Sequence, residues 1–334
     1  SFKKRTWAFG ILRVRRKKYL LDTGASDNYS KNAEALGIDL SSVDLSILSH
    51  GHYDHSSGYR SFFFLNDSAK LFLRAEARER CYLKIGPFRH YVGIPKDILR
   101  KYGSRFVYIS ENTKLADGVW LIGHSTPNLS ERGRRAHLYR KTAEGLVPDD
   151  FAHEQSLVFE TSSGLVIVNS CCHGGADNIV SEIKEAFPEH EIAAIIGGFH
   201  LMGTRGTSTL GVDPREVEAL GKRLLELGVK HTYTCHCTGN PANEILSRVM
   251  GEKVSYFATS SKALEVESVT VYVLVVGSST SQLVSFVLSF SMNLSAYSLY
   301  PTAPPAISKI DAKTKRNLFP ALLLGAEGAE ILVT

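Results

Sequence analysis

Five times along this chain a short apolar run ends in a turn built from histidine, glycine, cysteine or aspartate. Tyr19–Leu21 leads into Asp22-Thr23-Gly24, and Val43–Ser49 leads into the heptad Ser-His-Gly-His-Tyr-Asp-His at 49–55. Gly164–Ser170 leads into Cys171-Cys172-His173-Gly174-Gly175, and Glu191–Ile196 into Gly197-Gly198-Phe199-His200. His231–Thr234 leads into Cys235-His236-Cys237-Thr238-Gly239. Helical patterns follow at Asp177–Phe187 and from about Pro241 to Met250. Strand, polar turn, helix is the rhythm of a layered α/β fold. In such folds ligands bind beyond the carboxyl ends of the strands, so these turns are expected to meet on one side of the molecule.

The heptad at 49–55 concentrates a scarce residue type, since the 334-residue chain has only 12 histidines. His50 and His52 are two apart at a strand end. In extended backbone such positions face one side, so both imidazoles can address one cation. Asp54 and His55 follow in the turn and can face a second site beside the first. Imidazole and carboxylate together suit zinc, manganese or iron.

Taken with the motifs Asn-Ser-Cys-Cys-His-Gly-Gly-Ala-Asp-Asn (169–178), Ile-Gly-Gly-Phe-His-Leu (196–201) and Cys-His-Cys-Thr-Gly (235–239), the pattern resembles the metallo-β-lactamase superfamily. Within it, the chain is similar to the branch holding metal-dependent hydrolases and the dihydropterin-type synthases of methanopterin biosynthesis. The resemblance spans roughly residues 10–265. It implies an αββα sandwich of two mixed sheets flanked by helices, with a first strand expected ahead of Ser1. It also implies a centre for one or two divalent metal ions, zinc foremost, with manganese or iron as alternatives. Carried over by position, His50 and His52 serve one ion, Asp54 and His55 the other, and His236 completes the second. His173 joins them as a ligand. Cys171 stands where many relatives have a bridging aspartate, and is a further candidate. His124 and His153 compete for a remaining position, Asp22 is expected to prop the metal loop, and Asp54 and His200 are the candidate catalytic groups. Cys171-Cys172 and Cys235-x-Cys237 could instead form a separate centre, although their spacing is not Cys-x-x-Cys.

The activity so implied is metal-assisted hydrolysis of an anionic small molecule, a phosphorylated or ester compound. The alternative is a transferase joining an activated pterin to an amine. The anionic preference follows from residues 74–105, read as a loop-rich insertion carrying nine Lys/Arg against three Asp/Glu. Residues 128–155 form a second polar insertion.

Charge adds a third reading. Eight basic and no acidic side chains fall in residues 1–20, while the chain as a whole carries +5. A solvated strand edge or a nucleic-acid-binding face explains this, the first being favoured because few aromatics interleave the charges. Five cysteines, an odd number with two adjacent, indicate reduced thiols and a cytoplasmic protein rather than a disulfide framework. Residues 266–334 form an appended tail, uncharged from Ser268 to Ser308, whose apolar runs are too short for a membrane helix.

Overall fold

The computed structural model describes residues 8–14, 17–35, 38–203 and 206–256, together with four short strands between 264 and 333. In chain order the first half comprises β1 (Ala8–Val14), β2 (Lys17–Leu21), α1 (Asn28–Ala35), β3 (Leu45–Ile47), α2 (Tyr53–Ser56), α3 (Tyr59–Leu65) and β4 (Lys70–Arg74). There follow β5 (Arg80–Ile85), β6 (Phe88–Tyr91), α4 (Lys96–Tyr102), β7 (Phe106–Ile109), β8 (Thr113–Ala116) and β9 (Val119–Gly123). The second half holds α5 (Ser130–Arg135), β10 (Leu138–Thr142), β11 (Gly145–Pro148), β12 (Gln155–Thr161), β13 (Gly164–Val168) and α6 (Ala176–Ala186). It continues with β14 (Ile192–Gly197), α7 (Pro214–Glu226), β15 (His231–Thr234), α8 (Asn240–Met250) and β16 (Val254–Tyr256).

Three apolar clusters define the layers. Tyr19, Leu21 and Ile47 from β2 and β3 pack against Val119, Leu121, Leu157, Phe159, Val166 and Ile196, which come from β9, β12, β13 and β14. That cluster is the seam between two sheets. One runs β1-β2-β3-β4-β7 and the other β16-β15-β14-β13-β12-β9-β8. On the outer face of the second, Ile179, Val180 and Ile183 of α6, Val217 and Leu224 of α7, and Ile245 and Leu246 of α8 form another core. Tyr29 of α1, Phe62 and Phe63 of α3 and Ile98 of α4 cover the outer face of the first. The result is the expected αββα sandwich. Both sheets are mixed: β2, β3, β4 and β7 pair in parallel, as do β13 to β16, while β9, β12 and β13 are antiparallel.

The insertions behave differently from expectation. Residues 74–105 are not loop-rich: β5 and β6 form a hairpin, and β5 pairs with β10, so the two polar insertions combine into one four-stranded sheet, β11-β10-β5-β6. Its cross-strand pairs, such as Tyr82 with Tyr91 and Tyr139 with Tyr82, put aromatics opposite one another, which stabilises a pleated surface that carries charges on both faces. The basic edge of residues 1–16 and most of the tail lie outside the described side chains. The tail contributes strands Val269–Val275 and Ala329–Val333, both antiparallel to β1. No helix among the described residues is long and apolar enough to cross a membrane.

Candidate metal centre

Parallel pairing of β2 with β3, and of β13, β14 and β15, brings all five strand-end turns to one end of the sandwich. The backbone is bent hard there. Seven non-glycine residues among those described have positive φ, and four of them, Asp22 (φ 60), Cys172 (φ 47), His200 (φ 49) and His236 (φ 50), stand in these turns. Such conformations cost on the order of 1 kcal/mol or more each and persist where surrounding contacts fix them.

The contacts that fix this end converge on Asp22, which is fully buried. Its carboxylate accepts from the Ser49 backbone N–H at 2.8 Å and hydroxyl at 2.6 Å, from Ser170 Oγ at 2.5 Å and from His55 Nδ1 at 2.8 Å. A carboxylate only accepts, so His55 carries a proton on Nδ1 and turns Nε2 inward. Burial would lower this imidazole, but Asp22 and Asp54 lift it to about 9, so a cation bound at Nε2 takes the place of a proton. The Ser49 hydroxyl, having donated to Asp22, accepts from His50 Nδ1 at 2.8 Å. His50 Nε2 is therefore a lone pair. One aspartate thus orients two imidazoles, His55 directly and His50 through Ser49.

Both Nε2 atoms face other potential metal ligands. His50 Nε2 is 3.3 Å from His173 Nε2, and His55 Nε2 is 3.2 Å from Cys171 Sγ. The rings of His50 and His52 are 4.7 Å apart at their centroids, and that of His173 lies 4.7 and 4.8 Å from them. The two-apart spacing does bring His50 and His52 together, but through a tight turn in which the His52 N–H bonds the His50 carbonyl at 2.9 Å, not through extended backbone. The ligand atoms of His50, His52 and His173 lie within 4.8 Å of one another, and so do those of Asp54, His55 and His236. His50, His55 and Cys171 form a third such group that joins the two.

Burial makes these imidazoles poor bases. Removal from water, reinforced by neighbouring imidazoles, holds His50 and His173 well below the ordinary histidine range and His52 at about 4. At neutral pH they are uncharged donors. The buried Nε2 of His52 and Nδ1 of His173 have no hydrogen-bond partner. Uncharged nitrogen lone pairs converging on each other, with a buried nitrogen unpaired, are satisfied by a cation, and the donor set of imidazole, carboxylate and thiolate suits a borderline divalent ion.

The remaining candidates take other places. Both nitrogens of His124 are engaged, Nε2 with Glu154 at 2.6 Å and Nδ1 with Glu182 at 3.0 Å, and it joins none of the ligand groups among the described residues. Glu154 in turn accepts from the backbone N–H groups of His173 and Gly174, at 2.8 and 2.9 Å. His124 therefore acts on the centre through Glu154, which holds the loop that carries His173. Only a glycine fits at 174, where a Cβ would enter the His124 ring. His153 accepts from the Gly51 N–H at 3.1 Å and pairs with Asp149 at 3.0 Å, which buttresses the His50–His52 turn from behind. It lies near His52 and Cys81, but both its nitrogens are already partnered. His200 is exposed and packs its ring 4.1 Å from that of His173, at the rim of the centre.

Sequence reasoning overlooked Glu154, Ser49 and Ser170. Glu154 stands beside His153, directly before β12, and that position was its one available signal. The idea of a separate cysteine centre is not supported by the packing. Cys172 and Cys235 lie in the apolar cores and all five cysteines are unpaired, whereas Cys171 and Cys237 face each other with their sulfurs 3.5 Å apart.

A family model described as the metallo-β-lactamase superfamily matches residues 10–114. Among curated proteins, the 7,8-dihydropterin-6-methyl-4-(β-D-ribofuranosyl)-aminobenzene-5′-phosphate synthase of Methanocaldococcus jannaschii is 27% identical over 241 residues, covering 69% of this chain and 78% of that protein. An uncharacterised protein of the same organism is 24% identical over 199 residues, 58% of this chain and 72% of its own. A crystal structure of a metal-dependent hydrolase of the β-lactamase superfamily is 28% identical, with a TM-score of 0.60, covering 75% of this chain and 96% of its own.

Proposed function

From the premise that this chain belongs to the metallo-β-lactamase superfamily, we propose that it is a metal-dependent hydrolase acting on an anionic ester or phosphorylated small molecule. The observation that carries the reading is the convergence of the ring nitrogens of His50, His52, His55, His173 and His236, brought together from turns up to more than 180 residues apart in sequence. The likeness to the solved metal-dependent hydrolase supports it.

In this reading His50, His52 and His173 hold one divalent cation, zinc in the first place and manganese or iron as alternatives, and Asp54, His55 and His236 hold a second. Such ions lower the pKa of water towards neutrality and withdraw charge from an attacked carbonyl or phosphoryl oxygen. Asp22 holds Nδ1 of His55 directly and Nδ1 of His50 through Ser49, so that Nε2 of each ring is the atom offered to the ion. Glu154 fixes the His173 loop, and the Phe151 ring, stacked 5.0 Å from that of His173, fixes its plane. Asp54, whose burial would raise it but which His55, His52 and His236 bring below its ordinary range, stays ionised to orient the attacking water and take its proton. His200, at the rim, delivers a proton to the leaving group.

Support for an anionic substrate comes from the inserted hairpin. It returns to the metal loop where the Tyr53 N–H bonds the Val92 carbonyl at 2.8 Å and His52 bridges to Gly93. Arg80 and Arg89 on it are exposed. Its remaining charge is partly structural: Arg74 and Arg105 bind backbone carbonyls, and Arg78 and Lys96 lie over tyrosine rings.

The second reading, a transferase joining an activated pterin to an amine, is favoured by the synthase of Methanocaldococcus jannaschii. One assay separates the two. Metal-stripped and metal-reloaded protein is offered phosphomonoester, phosphodiester, lactone and thioester substrates with water as the only acceptor. The hydrolase reading expects turnover that appears on reloading and vanishes with chelator. Turnover of a pterin substrate only when an arylamine is added would overturn it in favour of the transferase.

A further inference from the structure

Two of the five cysteines differ in surroundings from the rest. Cys172 and Cys235 are core side chains, packed among Ile179 and Val180 or Ala194 and Ile196. Cys171 and Cys237 belong to no apolar cluster, although only 2% and 4% exposed. Their sulfurs are 3.5 Å apart, Cys171 Sγ is 3.2 Å from His55 Nε2, and the ligand atoms of Cys171, His236 and Cys237 all lie within 4.8 Å. In a tetrahedral zinc site, with Zn–S of about 2.3 Å and Zn–N of about 2.0–2.1 Å, neighbouring ligand atoms are about 3.3–3.8 Å apart. The sulfur–sulfur separation falls in that range and the Cys171–His55 separation next to it.

The turn also shows adaptation to a sulfur at this point. The His200 backbone N–H donates to Cys237 Sγ at 3.3 Å, the kind of bond that stabilises a ligating thiolate. A Cβ at position 198 would sit 2.5 Å from Cys237 Sγ, so the second glycine of Gly197-Gly198 makes room for that atom. The left-handed backbone of His236 turns its ring and the Cys237 sulfur into the same space.

We infer that Cys171 and Cys237 are thiolate ligands of the second metal position, added to the Asp54, His55 and His236 group with which they share His236, which makes this a centre for a thiophilic cation such as zinc or cobalt(II) rather than magnesium or manganese. The inference rests on the metal-centre reading above. Binding releases the two thiol protons to solvent and moves no electrons. Thiolate selects softer ions, whereas an oxygen-donor aspartate in the bridging place would accept harder ones.

Cobalt(II)-reconstituted protein tests this by absorption, without reference to turnover. Wild-type protein is expected to show thiolate-to-cobalt charge transfer in the near ultraviolet. Cys237→Ser and Cys171→Ser should each remove roughly half of that intensity and the double variant all of it, while Cys172→Ser and Cys235→Ser leave it unchanged. Zinc X-ray absorption of the unmutated protein gives the same answer should a variant fail to fold: sulfur scatterers at about 2.3 Å are expected. Stoichiometric cobalt binding without charge transfer, or a zinc shell of nitrogen and oxygen alone, would overturn the thiolate assignment and leave the metal-centre reading intact. Failure to bind cobalt at all would overturn both.

Discussion

At the scale of single residues the centre depends on one carboxylate that touches no substrate. Asp22 accepts four hydrogen bonds and thereby orients His50 and His55. Asp22→Asn keeps the shape but presents an NH2 group to at least one of those donors and removes the buried charge. Metal affinity, measured by competition with a chromophoric chelator, should fall by about 10- to 100-fold, the usual consequence of losing an outer-shell partner. Unchanged affinity would show that the rings are oriented some other way. Asp22 was legible as a prop because it closes a strand just before a turn. Ser49 and Ser170 were not, because a serine hydroxyl has no distinguishing neighbours in sequence and becomes meaningful only when two strand ends meet.

At the scale of elements, the strands that lead into the five turns and the helices α6 and α8 were legible to within a residue or two, whereas α1, α3, α4 and α7 were not identified. β15 spans His231–Thr234 as read, and α8 begins at Asn240, one residue before Pro241. Their signals are strong: apolar runs bounded by glycine, and proline in a first helical turn. The β5–β6 hairpin was not legible as part of a sheet, since its partner β10 lies more than 50 residues away. The turns between elements also govern the pH response of metal-free protein. Burial alone would lower His124, but Glu154 and Glu182 lift it to about 9. A raised folded value contributes stability that is complete below the unfolded value of about 6.5 and is lost as pH rises through 9. His52, depressed to about 4, works in the opposite sense. The unfolded chain takes up that proton first, so stability falls as pH drops from about 6.5 towards 4. Urea unfolding of the metal-free protein should therefore show a maximum near pH 6.5. His55, lifted to about 9 by Asp22 and Asp54 against its burial, adds to the same alkaline arm, so His124→Gln should shrink that arm by on the order of 3 kcal/mol without abolishing it. An arm of the same size in that variant would refute the Glu154–His124–Glu182 account.

At the scale of the whole molecule, two sheets and two helical layers exist to hold five turns at one end. The seam between the sheets joins β2 and β3, which present Asp22 and His50, to β13 and β15, which present Cys171 and His236. Either half alone carries an incomplete set of donors, and that long-range closure is what no local pattern could show. The sequence order of the motifs indicated a single centre. Which histidines face it and which support it from behind, as His124 and His153 do, was decided by tertiary contacts. Such a centre requires donors from both halves together. Elemental analysis of purified, zinc-reconstituted protein, compared with His52→Ala and His236→Ala, tests it most directly. Reduced zinc content is expected in each variant, with far-ultraviolet circular dichroism confirming retained fold, whereas full stoichiometry in both would contradict the site.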